Sequence, residues 1–234
     1  MATGAERERL AAAIGRIKGW LSDEEAEALF DRAKACTGRG AIVEIGSYRG
    51  RATIALALGS QAGSRVPVYA VDLHHEEQFR RFDRNVTRAG VGELITPLAG
   101  RSQELADEVR EPLELLFIDG AQDADEFRED FERWVPKLVD GGWLAVQDAT
   151  DSQGARPVAD TIVLRSLHFR RARFVPDSML VAQKVAGNTS LDRLRNAWVL
   201  AVKSIYAGAA KLEEPPEWLS GRFARGARRV LARL

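Results

Sequence analysis

The sequence predicts an α/β fold: a doubly wound, mostly parallel seven-stranded sheet with helices on both faces and extra N- and C-terminal helices. Three observations carry that prediction. From residue 41 to about 150, short apolar runs alternate with amphipathic helical segments, the pattern of right-handed βαβ units. The runs are apolar almost throughout, as strands buried on both faces must be. Two more strand-like runs, 169–176 and 179–185, meet at a turn over Pro176-Asp-Ser178 and close the sheet.

The elements follow in order. Residues 5–18 form an amphipathic helix, with Leu10, Ile14 and Ile17 at helical spacing. Ser22 opens a second helix; Glu25 completes a capping-box pattern, and Ala26, Leu29, Phe30 and Ala33 make the apolar stripe. Strands then fall at 41–45, 66–73, 94–98, 113–119 and 141–148, with helices at 51–58, 76–89, 102–109 and 124–138 between them. In the last of these helices Phe127, Phe131, Trp134 and Leu138 are core positions. Its acids, Asp123, Asp125, Glu126, Glu129, Asp130 and Glu132, read as one solvated face. A short helix is expected over 161–167. Past a polar junction at 187–190 come two more helices, one from about Leu191 to Lys211 and one after Pro215-Pro216.

Charge and cysteine content narrow the classes of function. The 34 Lys and Arg balance the 34 Asp and Glu, so no nucleic-acid partner is expected. Cys36 stands alone, which excludes an intrachain disulfide; it reads as inert and fits a reducing compartment. The charged N-terminus lacks a signal-peptide run, and no apolar stretch is long enough to span a bilayer. A cytoplasmic location with no transmembrane segment is expected. The stretch 216–234 is basic and amphipathic, with Arg222, Arg225, Arg228, Arg229 and Arg233. Packing on the domain or a partner subunit is preferred to membrane-surface contact, which stays open.

In an open α/β sheet, ligands bind beyond the carboxyl ends of the strands. Every chemically interesting residue falls at such an end: Glu44, Gly46 and Gly50 at the first, Asp72 at the second, Ser102 after the third. Asp119-Gly120 ends the fourth, and Gln147-Asp148 the fifth. A dinucleotide loop would read G-x-G-x-x-G. This turn reads E-x-G-x-x-x-G, and no Walker lysine follows, so a phosphate in the turn is disfavoured. Its glycines still admit a ligand close to the backbone. Asp72, about 20 residues on, is placed to accept hydrogen bonds from ribose hydroxyls. A nucleoside with a small zwitterionic tail fits better than a dinucleotide.

With these residues in view, the chain resembles the class I S-adenosylmethionine-dependent methyltransferases, a Rossmann-like group, over roughly residues 20–185. "VEIGSYRGRAT" is similar to their first motif, "VYAVDL" to the second, and "PLAGRSQELA" to the loop flanking adenine. "LLFIDGAQDADEFREDFERWVPKLVDGGWLAVQDAT" resembles the small-molecule O-methyltransferase branch. The resemblance implies S-adenosylmethionine as cofactor. It implies that Glu44 orients the methionine part, that Gly46 and Ser47 line it, that Asp72 takes the ribose and that Ser102 meets adenine. Gly50, Leu73, Asp119 and Gly120 complete the implied cofactor residues. It implies a methyl acceptor that is a small molecule with a hydroxyl, such as a sugar, phenol or secondary metabolite, near Gln122, Gln147 and His74. It divides the chain into an N-terminal helical cap (1–40), a cofactor-binding domain (41–186) and a C-terminal helical extension (187–234). The terminal helices then offer a lid over the substrate or a homodimer contact.

Two positions depart from the pattern. Gln122 and Gln147 stand where relatives often carry His or an acid. Asp119 and Asp148 match acids that hold a divalent metal in some relatives, which raises Mg²⁺ as a second cofactor on hard-cation grounds. Glutamine is a weaker ligand than an acid, so metal-free chemistry is preferred. Deprotonation of the acceptor then falls to a side-chain base. Asp148 is the first choice, ahead of Asp151, His74 and His75. The same glutamines motivate an alternative: a catalytically silent member that binds cofactor and acts as a binding or scaffold protein.

Overall fold

The computed structural model describes residues 1–120, 123–150, 154–175 and 178–209. The sheet has seven strands: β1 (Ala41–Ile45), β2 (Val68–Asp72), β3 (Ile95–Ala99), β4 (Leu113–Ile118), β5 (Leu138–Val146), β6 (Phe169–Phe174) and β7 (Leu180–Lys184). Their spatial order is β3-β2-β1-β4-β5-β7-β6. The first five strands pair in parallel, and β7 runs antiparallel to both β5 and β6. The chain reverses its direction of travel between β1 and β4, and a sheet of this kind opens a crevice at that switch point.

The helices among the described residues are α1 (Gly4–Ile14), α2 (Asp23–Lys34), α3 (Arg51–Ala62), α4 (Glu76–Ala89), α5 (Ser102–Leu105), α6 (Ala124–Trp134), α7 (Ala155–Val158) and α8 (Ser190–Ala209). They cover two faces. Leu10, Leu29, Ile42, Ile54, Phe82 and Phe117 belong to the core on one side of the sheet. Val43, Leu116, Phe127, Trp134, Leu164 and Val199 belong to the core on the other. Neighbouring positions of β1 thus face opposite ways, and Ile42 shares its face with Glu44.

Several boundaries differ from the sequence expectation. The first helix stops at Ile14, because the guanidinium of Arg51 takes the carbonyls of Ile14 (2.8 Å) and Ile17 (3.3 Å), and its Nε that of Leu21 (2.9 Å). Strand β5 begins at Leu138, three residues before the expected start. Gly141 and Gly142 lie inside it, where the register against β4 shifts, and Gly141 has φ +87°. The glycine pair is therefore a bulge rather than a turn. The helix expected over 161–167 begins earlier: α7 starts at Ala155 and continues as a π-turn over Ala159–Val163. Pro157 is tolerated there because it sits in the first turn. The helix expected over 102–109 keeps a helical backbone only to Leu105. The helix expected after Pro215-Pro216 lies outside the described residues. No helix among the described residues is long and apolar enough to cross a membrane.

Candidate active site

A cavity of about 680 Å³ opens at the carboxyl ends of the parallel strands. Its lining includes Gly46, Asp72, Ser102, Asp119, Gly120 and Asp148, one or two residues from each of five strand ends. Gly46 has φ +91°, and a Cβ there would lie 2.3 Å from the carbonyl oxygen of Asp119. Only glycine lets β1 and β4 approach this closely while the chain turns away. Gly50, also expected at the cofactor, is not part of the cavity wall. It starts α3 at φ +84°, with its Cα beside Phe82.

Asp72 organises two turns. Its Oδ2 accepts the Tyr48 N–H (2.9 Å) and its Oδ1 the His74 N–H (3.0 Å). Both donors have positive φ, 44° and 50°, a conformation that side-chain-bearing residues hold only when neighbours impose it. Leu73 beside it is 55% exposed and lines the cavity. His74 does not. Its ring packs against Phe79 (5.0 Å) and Phe82 (5.1 Å), with Nε2 at 3.2 Å from the Ala70 carbonyl. The backbone bond to Asp72 turns the imidazole into the apolar layer, which corrects its expected place at the substrate. His75 is exposed and precedes the first residue of α4.

Glu44 lies at the floor, against a narrow cleft of about 30 Å³ that shares Gly46, Tyr48 and Asp119 with the main cavity. It is fully buried and accepts a hydrogen bond from the Thr53 hydroxyl of α3. Its Oε1 and the nearby Ser47 Oγ have no hydrogen-bond partner among the described residues. Burial pushes its carboxyl up to about 8; the Thr53 bond opposes this, and Asp119 and Asp72 add to it.

On the other side, Asp119 and Asp148 face one another electrostatically. Burial, then the Asp148 charge, then Glu25, hold the Asp119 carboxyl well above the usual range. Asp148 has φ +52°, and its Oδ1 accepts the Ser178 hydroxyl (3.0 Å). Gln147 departs from its expected substrate role. It is 3% exposed, and its Nε2 donates to Glu25 (3.2 Å) and Ser178 (3.2 Å). Alternation along the strand points it away from the cavity that Asp148 lines. Gln122 and Asp151 lie outside the described residues. For a metal, Asp119 and Asp148 supply two carboxylates, but no group of three or more His, Cys, Asp or Glu set to hold an ion exists among the described residues. The donor set does not fit a closed metal site.

The structure also adds residues that the sequence reading left in other roles. Asp130 is not on a solvated face. It is 1% exposed, lines the cavity and accepts the Ser102 hydroxyl. Burial raises its carboxyl to about 6. Trp134 Nε1 donates to the Ser102 carbonyl (3.1 Å), so α6 holds the Ser102 turn at two points. The signal was present: Asp130 falls three residues after Phe127 and four before Trp134, on the buried stripe. Trp20 forms part of the cavity mouth, 80% exposed, its ring 5.5 Å from that of Tyr48. An exposed tryptophan in a loop has no periodicity to announce it. Cys36 is buried and its thiol is pushed up to about 12, chiefly by burial, which fits an inert core position.

An open α/β sheet of this strand order, with a glycine turn after β1, an acid ending β2 and a cavity across the strand ends, is the layout that the resemblance to class I S-adenosylmethionine-dependent methyltransferases implies. Residues 43–149 match the family model described as a methyltransferase domain. Three solved structures are similar in fold. Cofactor-bound Rv0187 from MTB is 22% identical, with 79% of this chain and 89% of that chain covered at a TM-score of 0.59. The O-methyltransferase TomG from Streptomyces achromogenes, involved in tomaymycin synthesis and in complex with SAM, is 18% identical over 80% and 92% at 0.60. An O-methyltransferase from Bacillus cereus in complex with SAH is 17% identical over 79% and 93% at 0.58.

Proposed function

We propose that this chain is an S-adenosylmethionine-dependent methyltransferase that transfers the methyl group to a hydroxyl of a small molecule, with Asp148 as the base. The carrying observation is the succession of carboxylates around one cavity: Asp72 on the side of β2, Asp148 across it at the end of β5. The fold likeness to proteins called O-methyltransferases supports the choice of hydroxyl. The bound cofactor supplies an electrophilic methyl on a sulfonium, whose in-line displacement releases a neutral thioether. The chain's residues do the rest. Asp72 accepts ribose hydroxyls with the lone pairs not used on the Tyr48 and His74 N–H groups. Glu44, unpartnered at Oε1, and Ser47 receive the ammonium end of the methionine portion, and Gly46 and Gly120 give the backbone clearance. The Ser102 turn, braced by Asp130, takes the adenine. Leu73 and Trp20 cover apolar parts of the ligands. Asp148 Oδ2 takes the acceptor proton, while Ser178 fixes Oδ1.

We assign residues 1–40 as a cap over this site, 41–186 as the cofactor-binding domain and 187–234 as an extension. Nothing specific favours the catalytically silent reading. Of the two glutamines that motivate it, Gln147 is spent on Glu25 and Ser178, and Gln122 lies outside the described residues.

The test is methyl transfer from labelled S-adenosylmethionine to a panel of sugars, phenols and related hydroxyl compounds. Wild-type protein yields labelled product, and excess EDTA leaves the rate unchanged. Asp148→Asn lowers kcat by about 10²–10⁴ while retaining cofactor binding. Wild-type turnover in that variant would remove Asp148 as base.

A further inference from the structure

Outside the active site the described residues carry a second cavity, of about 600 Å³, with a different character. Its lining holds six cations, Arg16, Lys18, Arg49, Arg80, Arg81 and Arg84, against one carboxylate, Glu77. In a chain with 34 basic and 34 acidic residues, such an excess is a local arrangement. Arg80 and Arg81 form exposed pairs with Glu76 and Glu77, one helical turn back. Arg16, Lys18, Arg49 and Arg84 have no ion-pair partner among the described residues. Four neighbouring cations repel one another unless an anion joins them.

The groove is built rather than incidental. Arg51 fastens the loop that carries Arg16 and Lys18, through the carbonyls of Ile14, Ile17 and Leu21 and a 2.6 Å contact to Asp23. Asn85 of α4 donates to the Arg49 carbonyl (2.9 Å) and fixes that turn to the helix bearing Arg80, Arg81 and Arg84. The Arg49 guanidinium lies over the Tyr48 ring at 4.9 Å, and its buried Nε has no hydrogen-bond partner among the described residues. Lys18 and Arg49 also line the cleft beside Glu44, so the groove adjoins the active site at the Trp20–Tyr48 mouth.

We propose that this groove binds a di- or polyphosphate group. Planar guanidiniums match phosphate oxygens bidentately, and the number of unpaired cations exceeds what a single carboxylate or sulfate would neutralise. The volume suits a small ligand segment rather than a folded partner. The phosphate can belong to the methyl acceptor, its other end reaching the cavity past Trp20, or to a separate small anion that occupies the groove alone. As a statement about the acceptor, the inference rests on the methyl-transfer reading; as a binding site, it stands on the groove.

The experiment is calorimetric titration of the full chain with pyrophosphate, and separately with uridine diphosphate glucose, at an ionic strength of about 0.15 M. Saturable binding of at least one is expected. The double variant Arg16→Ala/Arg84→Ala weakens it by about tenfold or more, and Arg65→Ala/Arg133→Ala, outside the groove, does not. Tighter binding of the nucleotide sugar, changed by added S-adenosylhomocysteine, marks the phosphate as part of the acceptor. Equal binding, indifferent to that cofactor product, marks a separate anion. S-adenosylhomocysteine binding by the double variant shows that it is folded and keeps failure of the groove distinct from failure of the cofactor assignment. Absence of binding by both probes, or unchanged binding in the double variant, overturns the proposal. An oligoribonucleotide that binds through the same arginines more than about tenfold tighter than pyrophosphate overturns it in favour of nucleic acid.

Discussion

At Glu44 the strand's alternation sends a carboxylate into the apolar layer between β1 and α3, where the Thr53 hydroxyl donates a hydrogen bond to it. An acid inside an apolar run was legible in the sequence as a site residue. Its depth was not, because depth depends on which face α3 covers. Raised to about 8 from the ordinary 4.5, the carboxyl favours the protonated form in the folded chain. Below about pH 4.5 both folded and unfolded chains hold the proton; between there and about pH 8 only the unfolded chain releases it. Stability of the free protein therefore falls with rising pH across that window, by up to about 1.4 kcal/mol per pH unit, and levels off above it. A cofactor ammonium favours the ionised form, so S-adenosylhomocysteine affinity rises from about pH 6 towards 8 with release of a proton. Denaturation and calorimetry across pH check both trends, and Glu44→Gln flattens them. An unchanged pH profile in that variant would take Glu44 out of the site. Asp130 gives the opposite lesson. Its neighbours along the chain are acidic, and that local composition hid a buried position that the helical period places beside Phe127 and Trp134.

Among the elements, α2 shows how a local motif acquires a long-range task. The Ser22–Glu25 capping box was readable from four residues, and it forms. Glu25 also accepts the backbone N–H of Ser178 (3.1 Å) and Met179 (3.0 Å) and the Gln147 amide, groups more than a hundred residues away. It thereby ties the N-terminal helices to the start of β7 and, through Ser178, to Asp148. No sequence pattern encodes those partners, since they meet only once β5 and β7 pair antiparallel. Glu25→Ala leaves the Ser178 and Met179 N–H groups without this acceptor, removes one of two from the Gln147 amide and costs about 3 kcal/mol. Chemical denaturation measures this, and a loss under about 1 kcal/mol would mean that the tie is weak. The bulge at Gly141-Gly142 belongs to the same class. Two glycines announce a backbone irregularity, but only the register against β4 distinguishes a bulge from a turn.

For the whole molecule, alternation of strand and helix was enough to predict the layered sheet, and the strand ends were enough to predict where the main cavity opens. The order β3-β2-β1-β4-β5 then brings residues from positions 46 to 148 around one cavity. What the sequence left hidden are the surfaces made by elements far apart in the chain: the Trp20 mouth, the Asp130 brace and the basic groove between the α1–α2 loop and α4. A balanced total charge conceals the groove, because charges average over the chain while a ligand meets only those that share a surface. The central claim is that the cavity at the strand ends holds the S-adenosyl ligand through Asp72. Calorimetric titration of the folded chain with S-adenosylhomocysteine tests it most directly, with Asp72→Asn as the comparison, since asparagine keeps an acceptor for the Tyr48 and His74 turns. Saturable one-to-one binding, weakened about tenfold or more in the variant, is the predicted result; a folded wild-type protein that binds no S-adenosylhomocysteine, or a variant that binds it equally well, would contradict the account.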